Sequence, residues 1–170
     1  MKLKFFSVIV CLSLIGCILC ASSCAESTAS AEDVLSAMVH TEPSLPSGKI
    51  YLSTAAEGEK QYTPQSLLAS LYGGGSAPIE QSEWVEFAIF LSSAHHPCEF
   101  AVFLCQSAQS ASDTAKMLCR RLDTLKASWA DTQYSSYTEN GCVSVSGNYC
   151  ILTVCADKKA ALKAALSVIK

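Results

Sequence analysis

Charge is scarce in this chain. Its 170 residues carry 12 Lys and Arg against 15 Asp and Glu, a formal net charge of −3. There is no run of three or more Lys or Arg and no interleaving of cations with aromatics, and the close basic pair Arg120-Arg121 fits a helix surface. The electrostatic footprint of a nucleic-acid binder is therefore missing. Histidine is rarer still, at positions 40, 95 and 96. The hydrolase elbow G-x-S-x-G is absent, because Gly73-Gly74-Gly75-Ser76 has no glycine two places past the serine. The same glycine run lacks the Gly-Lys-Ser/Thr of a phosphate loop. No repeat of solenoid period is present. Together these absences leave no catalytic constellation and imply no cofactor.

What is present starts at the first residue. Lys2 and Lys4 precede residues 5–21, which carry no charge and come close to the length of a membrane span. Leu14-Ile15-Gly16-Cys17 matches a bacterial lipobox, in which cleavage before the cysteine leaves a thiol for a diacylglyceryl group. Two palmitate-like acyl chains anchor stably where one does so only marginally. Cys24 is a rival attachment site, since it follows Ala21-Ser22-Ser23 and opens into the polar Ala25-Glu26-Ser27-Thr28. Ordinary cleavage after Ala25 or Ala31, giving a secreted soluble domain, and an uncleaved anchor are further alternatives. The expected organisation is a signal with lipobox at 1–24, a flexible tether at 25–31, and one domain at 32–170. The expected location is the outer face of the cell membrane, with membrane lipid as a partner. Loss of the two signal lysines takes the net charge to −5.

Six cysteines lie in the domain: Cys98, Cys105, Cys119, Cys142, Cys150 and Cys155. An exported chain with an even count invites a disulfide framework. Yet Cys105, Cys150 and Cys155 sit inside apolar runs and Cys119 on a helix, where a thiol acts as a small hydrophobe. None of the six forms C-x-x-C, the usual zinc or redox spacing. Mostly free, buried thiols are expected, with Cys142 and Cys155 as the pair to be bridged if any is.

The periodicity predicts an α+β domain. Ser30 and Asp33 begin a helix through Val34, Leu35 and Met38. An edge strand follows near Ile50, and Thr63-Pro64 start a second helix. Residues 84–91 and 99–105 are continuous apolar strands, as expected when both sheet faces are covered. Ala111, Ala115, Leu118, Leu122, Leu125 and Trp129 form one buried helical stripe. Gly147-Asn148 turn a hairpin in which Val145 faces Cys150 and Val143 faces Leu152, on the core face. Asp157 caps a last helix bearing Ala161, Leu162, Ala165, Leu166 and Ile169. The architecture expected is an antiparallel sheet of four to five strands with helices packed against it.

The segments VEFAIFLSS, EFAVFLC, SASDTAKMLCRRLDTLKASWADTQ and VSGNYCILTVCAD resemble the bacterial domain-of-unknown-function family 4358. The resemblance covers about residues 32–170 and is clearest at LYG (71–73) and SGNY (146–149). It implies a small lipoprotein of Gram-positive anaerobes, with no established activity and no catalytic residue to carry over.

Among candidate sites, His95-His96-x-Cys98 holds the only cluster of metal-ligating types, although adjacent histidines converge only in a bent loop. Cys98 beside His96 is the sole candidate nucleophile with a base. Glu80, Glu83 and Glu86 read as a solvated strand edge. Tyr134 and Tyr137, beside Trp129, fit either an aromatic binding surface or the closing of a helix end. The expected role is a non-enzymatic binding or accessory module of the cell envelope, with an envelope protein as a possible partner. A small-ligand or metal-binding lipoprotein is the alternative.

Overall fold

The computed structural model describes residues 29–73, 81–93 and 95–169. Its elements are α1 (Ala31–Val39), β1 (Gly48–Leu52), α2 (Gln65–Tyr72), β2 (Trp84–Ser92), β3 (Glu99–Cys105), α3 (Ala108–Trp129), α4 (Ser135–Glu139), β4 (Cys142–Ser146), β5 (Tyr149–Val154) and α5 (Lys158–Val168). The strands form one antiparallel sheet in the order β1-β2-β3-β5-β4. Among the described residues no helix is long and apolar enough to cross a membrane.

Helices cover both faces of the sheet, so the domain has three layers and two apolar cores. On one face α1 and α5 pack through Val34, Leu35, Met38, Ala161 and Ala165 onto Phe90, Phe100, Val102 and Ile151. On the other, α2 and α3 pack through Leu68, Leu118, Leu122 and Leu125 onto Phe87, Ile89, Phe103 and Leu152. Phe103 is the centre of an aromatic group, with Trp84, Phe87 and Tyr72 at 4.7, 5.6 and 5.6 Å between rings. Every residue of β3 and β5 is buried, which is why their sequences are continuously apolar rather than alternating.

Local signals account for most boundaries. Ser30 caps α1 by accepting from Asp33 N, and Asp157 caps α5 by accepting from Lys159 N and Ala160 N. The β4–β5 hairpin has the expected two-residue loop, with Ser146 opposite Tyr149. Gly147 has φ of 56°, the left-handed first loop position of a type II′ turn.

Several expectations change in detail. Thr63 does not cap α2; its hydroxyl donates to Leu52 O, and Pro64 holds the cap position. Val145 is 48% exposed, one residue from the hairpin end of the edge strand β4. Leu166 is likewise exposed and Cys119 lies on the solvent side of α3. The tether boundary moves inward, since Ala29 O accepts from Tyr149 OH and α1 begins at Ala31. Finally, β2 is interior, so its acidic residues guard no sheet edge. Glu86 instead accepts from Ala31 N at the start of α1, where a carboxylate is favoured by the helix dipole. Glu83 is exposed, and Glu80 lies outside the described residues.

Thr153 Oγ1, on β5, is the one buried side-chain oxygen or nitrogen without a partner among the described residues. Burying an unpaired hydroxyl costs about 1–3 kcal/mol. Thr153→Val keeps the shape and removes the orphan, so urea unfolding should show a gain of about 1 kcal/mol. A loss of stability in that variant would mean that the hydroxyl is satisfied.

Candidate functional site

The site grows from a charge that sequence reasoning passed over. Glu99 opens β3 and is 2% exposed. Arg121, one turn beyond Leu118 and one before Leu125 on α3, reaches down to it. Its Nη2 donates to Oε2 at 2.6 Å, and Nε donates to Oε2 and Oε1 at 3.1 and 3.2 Å. The hydroxyl of Tyr72, the last residue of α2, donates to Oε1 at 3.0 Å. Burial works against the Arg121 charge, but the carboxylate more than offsets it and holds the guanidinium above its usual pKa. Burial, then the Glu99 charge, pushes the Tyr72 phenol well above 10.0. Thus Arg121 is not the surface residue that its pairing with Arg120 implied. The legible signals were its place on the buried stripe and the presence of a lone acid in an apolar strand.

This ion pair forms the floor of a half-open cleft of about 230 Å³ at the end of the sheet where β2 passes to β3. Leu91, His96, Cys98 and Trp129 are among its walls. The bonds to Glu99 use Nε and Nη2 of Arg121, which leaves Nη1 outside them, and Arg121 also lines the cleft. His96 packs against Tyr134 and Tyr137, with ring centroids at 4.5 and 4.8 Å, and Trp129 meets Tyr134 at 5.9 Å. Those two tyrosines therefore form an aromatic wall around His96, which the short helix α4 positions and which the sequence did not connect to the histidine. Burial lowers the His96 pKa, partly countered by the Glu42 charge. Its Nδ1 accepts from Cys98 N at 3.1 Å, so the neutral ring carries its proton on Nε2. Glu42, 7% exposed, accepts from Ala156 N.

The sequence candidates separate. His95 is exposed, while His96 and Cys98 line the cleft. Among the described residues no group of three or more His, Cys, Asp or Glu is arranged to hold a metal ion. Cys98 is 1% exposed, and burial drives its thiol far above its ordinary pKa. A nucleophilic cysteine needs the opposite shift, so the arrangement does not activate it. Cys142 and Cys155 are free thiols. The register sets Cys142 opposite Thr153, which makes Cys155 its diagonal neighbour at roughly 7–8 Å, longer than a disulfide spans. Cys17 and Cys24 lie outside the described residues.

The chain enters the fold at the other end of the sheet from the cleft. Ala29 and Ala31 are held there by Tyr149 at the start of β5 and Glu86 near the start of β2. The cleft lies at the end of β2 and the start of β3. Strands of this length put the two ends about 20 Å apart. No family model, curated protein or solved structure matches the chain.

Proposed function

We propose that this protein is a lipid-anchored, extracytoplasmic binding module of the cell envelope with no catalytic activity of its own. The observation that carries this reading is the polarity of the fold: residues 29–31 enter at one end of the sheet and the cleft opens at the other. An anchor on Cys17 would then present the cleft away from the membrane. The N-terminal lipobox supports the anchor, and the resemblance to domain-of-unknown-function family 4358 implies the same. The cleft's walls suit a small ligand that joins a planar or apolar part to a hydrogen-bond acceptor. The aromatic group at His96 and Trp129 would take the first, and Arg121 Nη1 the second. Pockets of this kind, mostly apolar with a few fixed polar groups, are the usual form of small-ligand sites.

The test uses the full chain in its host membrane. Mass spectrometry of the mature N-terminal peptide should find a diacylglyceryl group on Cys17; a mature N-terminus with no lipid on Cys17 or Cys24 would reject the lipid anchor. With detergent-extracted protein, benzoate, benzamide and benzylamine are titrated while the Trp129 indole and the backbone N–H groups of His96, Cys98 and Glu99 are followed by NMR. Benzoate or benzamide should give saturable shifts there, weakened in Trp129→Ala, whereas benzylamine, a cation with no acceptor, should not. Flat titrations with benzoate and benzamide at millimolar concentration would reject the cleft as a ligand site.

A further inference from the structure

We propose that Cys98 and Cys155 form a disulfide that joins β3 to β5 when the protein is oxidised. The inference rests on sheet register and is independent of any ligand. Glu99 is opposite Val154 and Phe100 opposite Thr153; one step further along the same register sets Cys98 opposite Cys155. Two hydrogen bonds fix the phase of that pair. Cys105 N donates to Asn148 O, so Cys105 and Asn148 are a hydrogen-bonded pair of the β3–β5 ladder. Alternation then makes Cys98 and Cys155 a non-hydrogen-bonded pair. Independently, Cys98 O accepts from Ser92 N, which turns its peptide toward β2 and away from β5.

That phase decides the geometry. Directly opposite residues of a non-hydrogen-bonded antiparallel pair have Cα atoms about 4.5 Å apart, within the 4.4–6.8 Å range of disulfides. Their side chains point to the same face, and both cysteines belong to the core under α1 and α5. The Cys98 thiol is raised first by burial and next by Cys155 itself, and Tyr137 feels both sulfurs. Both are 1% exposed, so neither sulfur is open to solvent in the folded domain.

The oxidant is a small-molecule disulfide such as oxidised glutathione. Cys98, as thiolate, attacks one of its sulfurs and expels a glutathione thiolate, forming a mixed disulfide. Cys155 then attacks the Cys98 sulfur and expels the second glutathione. One protein S–S bond replaces one small-molecule S–S bond; the two protons lost by the cysteines end on the two glutathione thiols. Since burial disfavours both thiolates, exchange in the folded domain is slow and the bond is made chiefly during folding.

The full chain is unfolded, refolded in a glutathione redox buffer, alkylated and digested without reduction by Glu-C and chymotrypsin. Cuts after Glu99, Tyr149 and Leu152 separate Cys98 and Cys155 from the other domain cysteines. The expected product links the Cys98 and Cys155 peptides, and the oxidised protein should melt on the order of 10 °C above the same protein kept in reductant. That rise should persist in Cys142→Ser and vanish in Cys155→Ala. A predominant link from Cys155 to Cys142, any other dominant pairing, or complete alkylation of both thiols would overturn the proposal, as would an equal rise in Cys155→Ala. Should Cys155→Ala fail to fold, the peptide map of the unsubstituted chain decides alone.

Discussion

Arg121→Met should destabilise the domain by about 3–5 kcal/mol, because it leaves the Glu99 carboxylate buried with Tyr72 as its one remaining side-chain partner among the described residues. The side chains of Arg121 and Glu99 are only 16% and 3% exposed, so water cannot take over the lost bonds. The contrast with Lys116 and Asp113 is direct. That pair has a similar separation of 2.8 Å, but its side chains are 66% and 54% exposed, and such contacts contribute about 0–1 kcal/mol. If the cost in Arg121→Met comes from the stranded charge, then Glu99→Met/Arg121→Met should recover most of it, since apolar replacement of a whole buried pair is often neutral. Urea unfolding at pH 7 measures all three proteins. A loss of about 1 kcal/mol or less in the single variant would put the pair in the surface class. A double variant as unstable as the single would show that the pair contributes more than its own neutralisation.

The reduced protein should also lose stability steeply as pH rises above 9. Burial pushes Cys150 and Cys155 up from 9.0 to about 12, and Cys98 and Cys105 are raised for the same first reason. Tyr72 is raised from 10.0. In each case the folded value lies above the unfolded one, so at pH 9–12 the folded chain keeps protons that the unfolded chain has released. Stability is therefore full below pH 9, falls through the window to about 12, and levels off once the folded thiols ionise. Each fully protected group steepens the fall by up to about 1.4 kcal/mol per pH unit. Unfolding midpoints in urea, taken from pH 8 to 11 in reductant, should drop continuously, and Cys150→Val should flatten the curve. A midpoint constant to pH 10.5 would contradict the burial of these thiols. Oxidised protein gives a second comparison: with Cys98 and Cys155 bridged, two titrating groups disappear and the slope should be shallower.

Much of the fold was legible because its signals are local. The limits of β3 coincide with the apolar run 99–105, and the hairpin register follows from a two-residue loop that only a few turn types can close. The α3 stripe and the caps at Ser30 and Asp157 are likewise set by neighbours within one turn. The site was much less legible. Arg120 and Arg121 are adjacent in sequence and look equivalent, yet a 100° rotation per residue leaves one in solvent and sends the other to Glu99. Similarly, nothing near His96 announces Tyr134 and Tyr137, far along the chain, because their meeting depends on how α3 lies on the sheet.

The sequence by itself determined the class of the domain, the identity and order of nearly all its elements, and the hairpin pairing of β4 with β5. It did so because periodicity, caps and tight turns act over a few residues. Only the tertiary structure decided that β3 and β5 are neighbours, since a pairing across such a separation is chosen by which faces can be buried together. That one adjacency brings Cys98 opposite Cys155. With α3 laid across the same sheet, it also puts Arg121 over Glu99 and opens the cleft at the end of the sheet remote from Ala29.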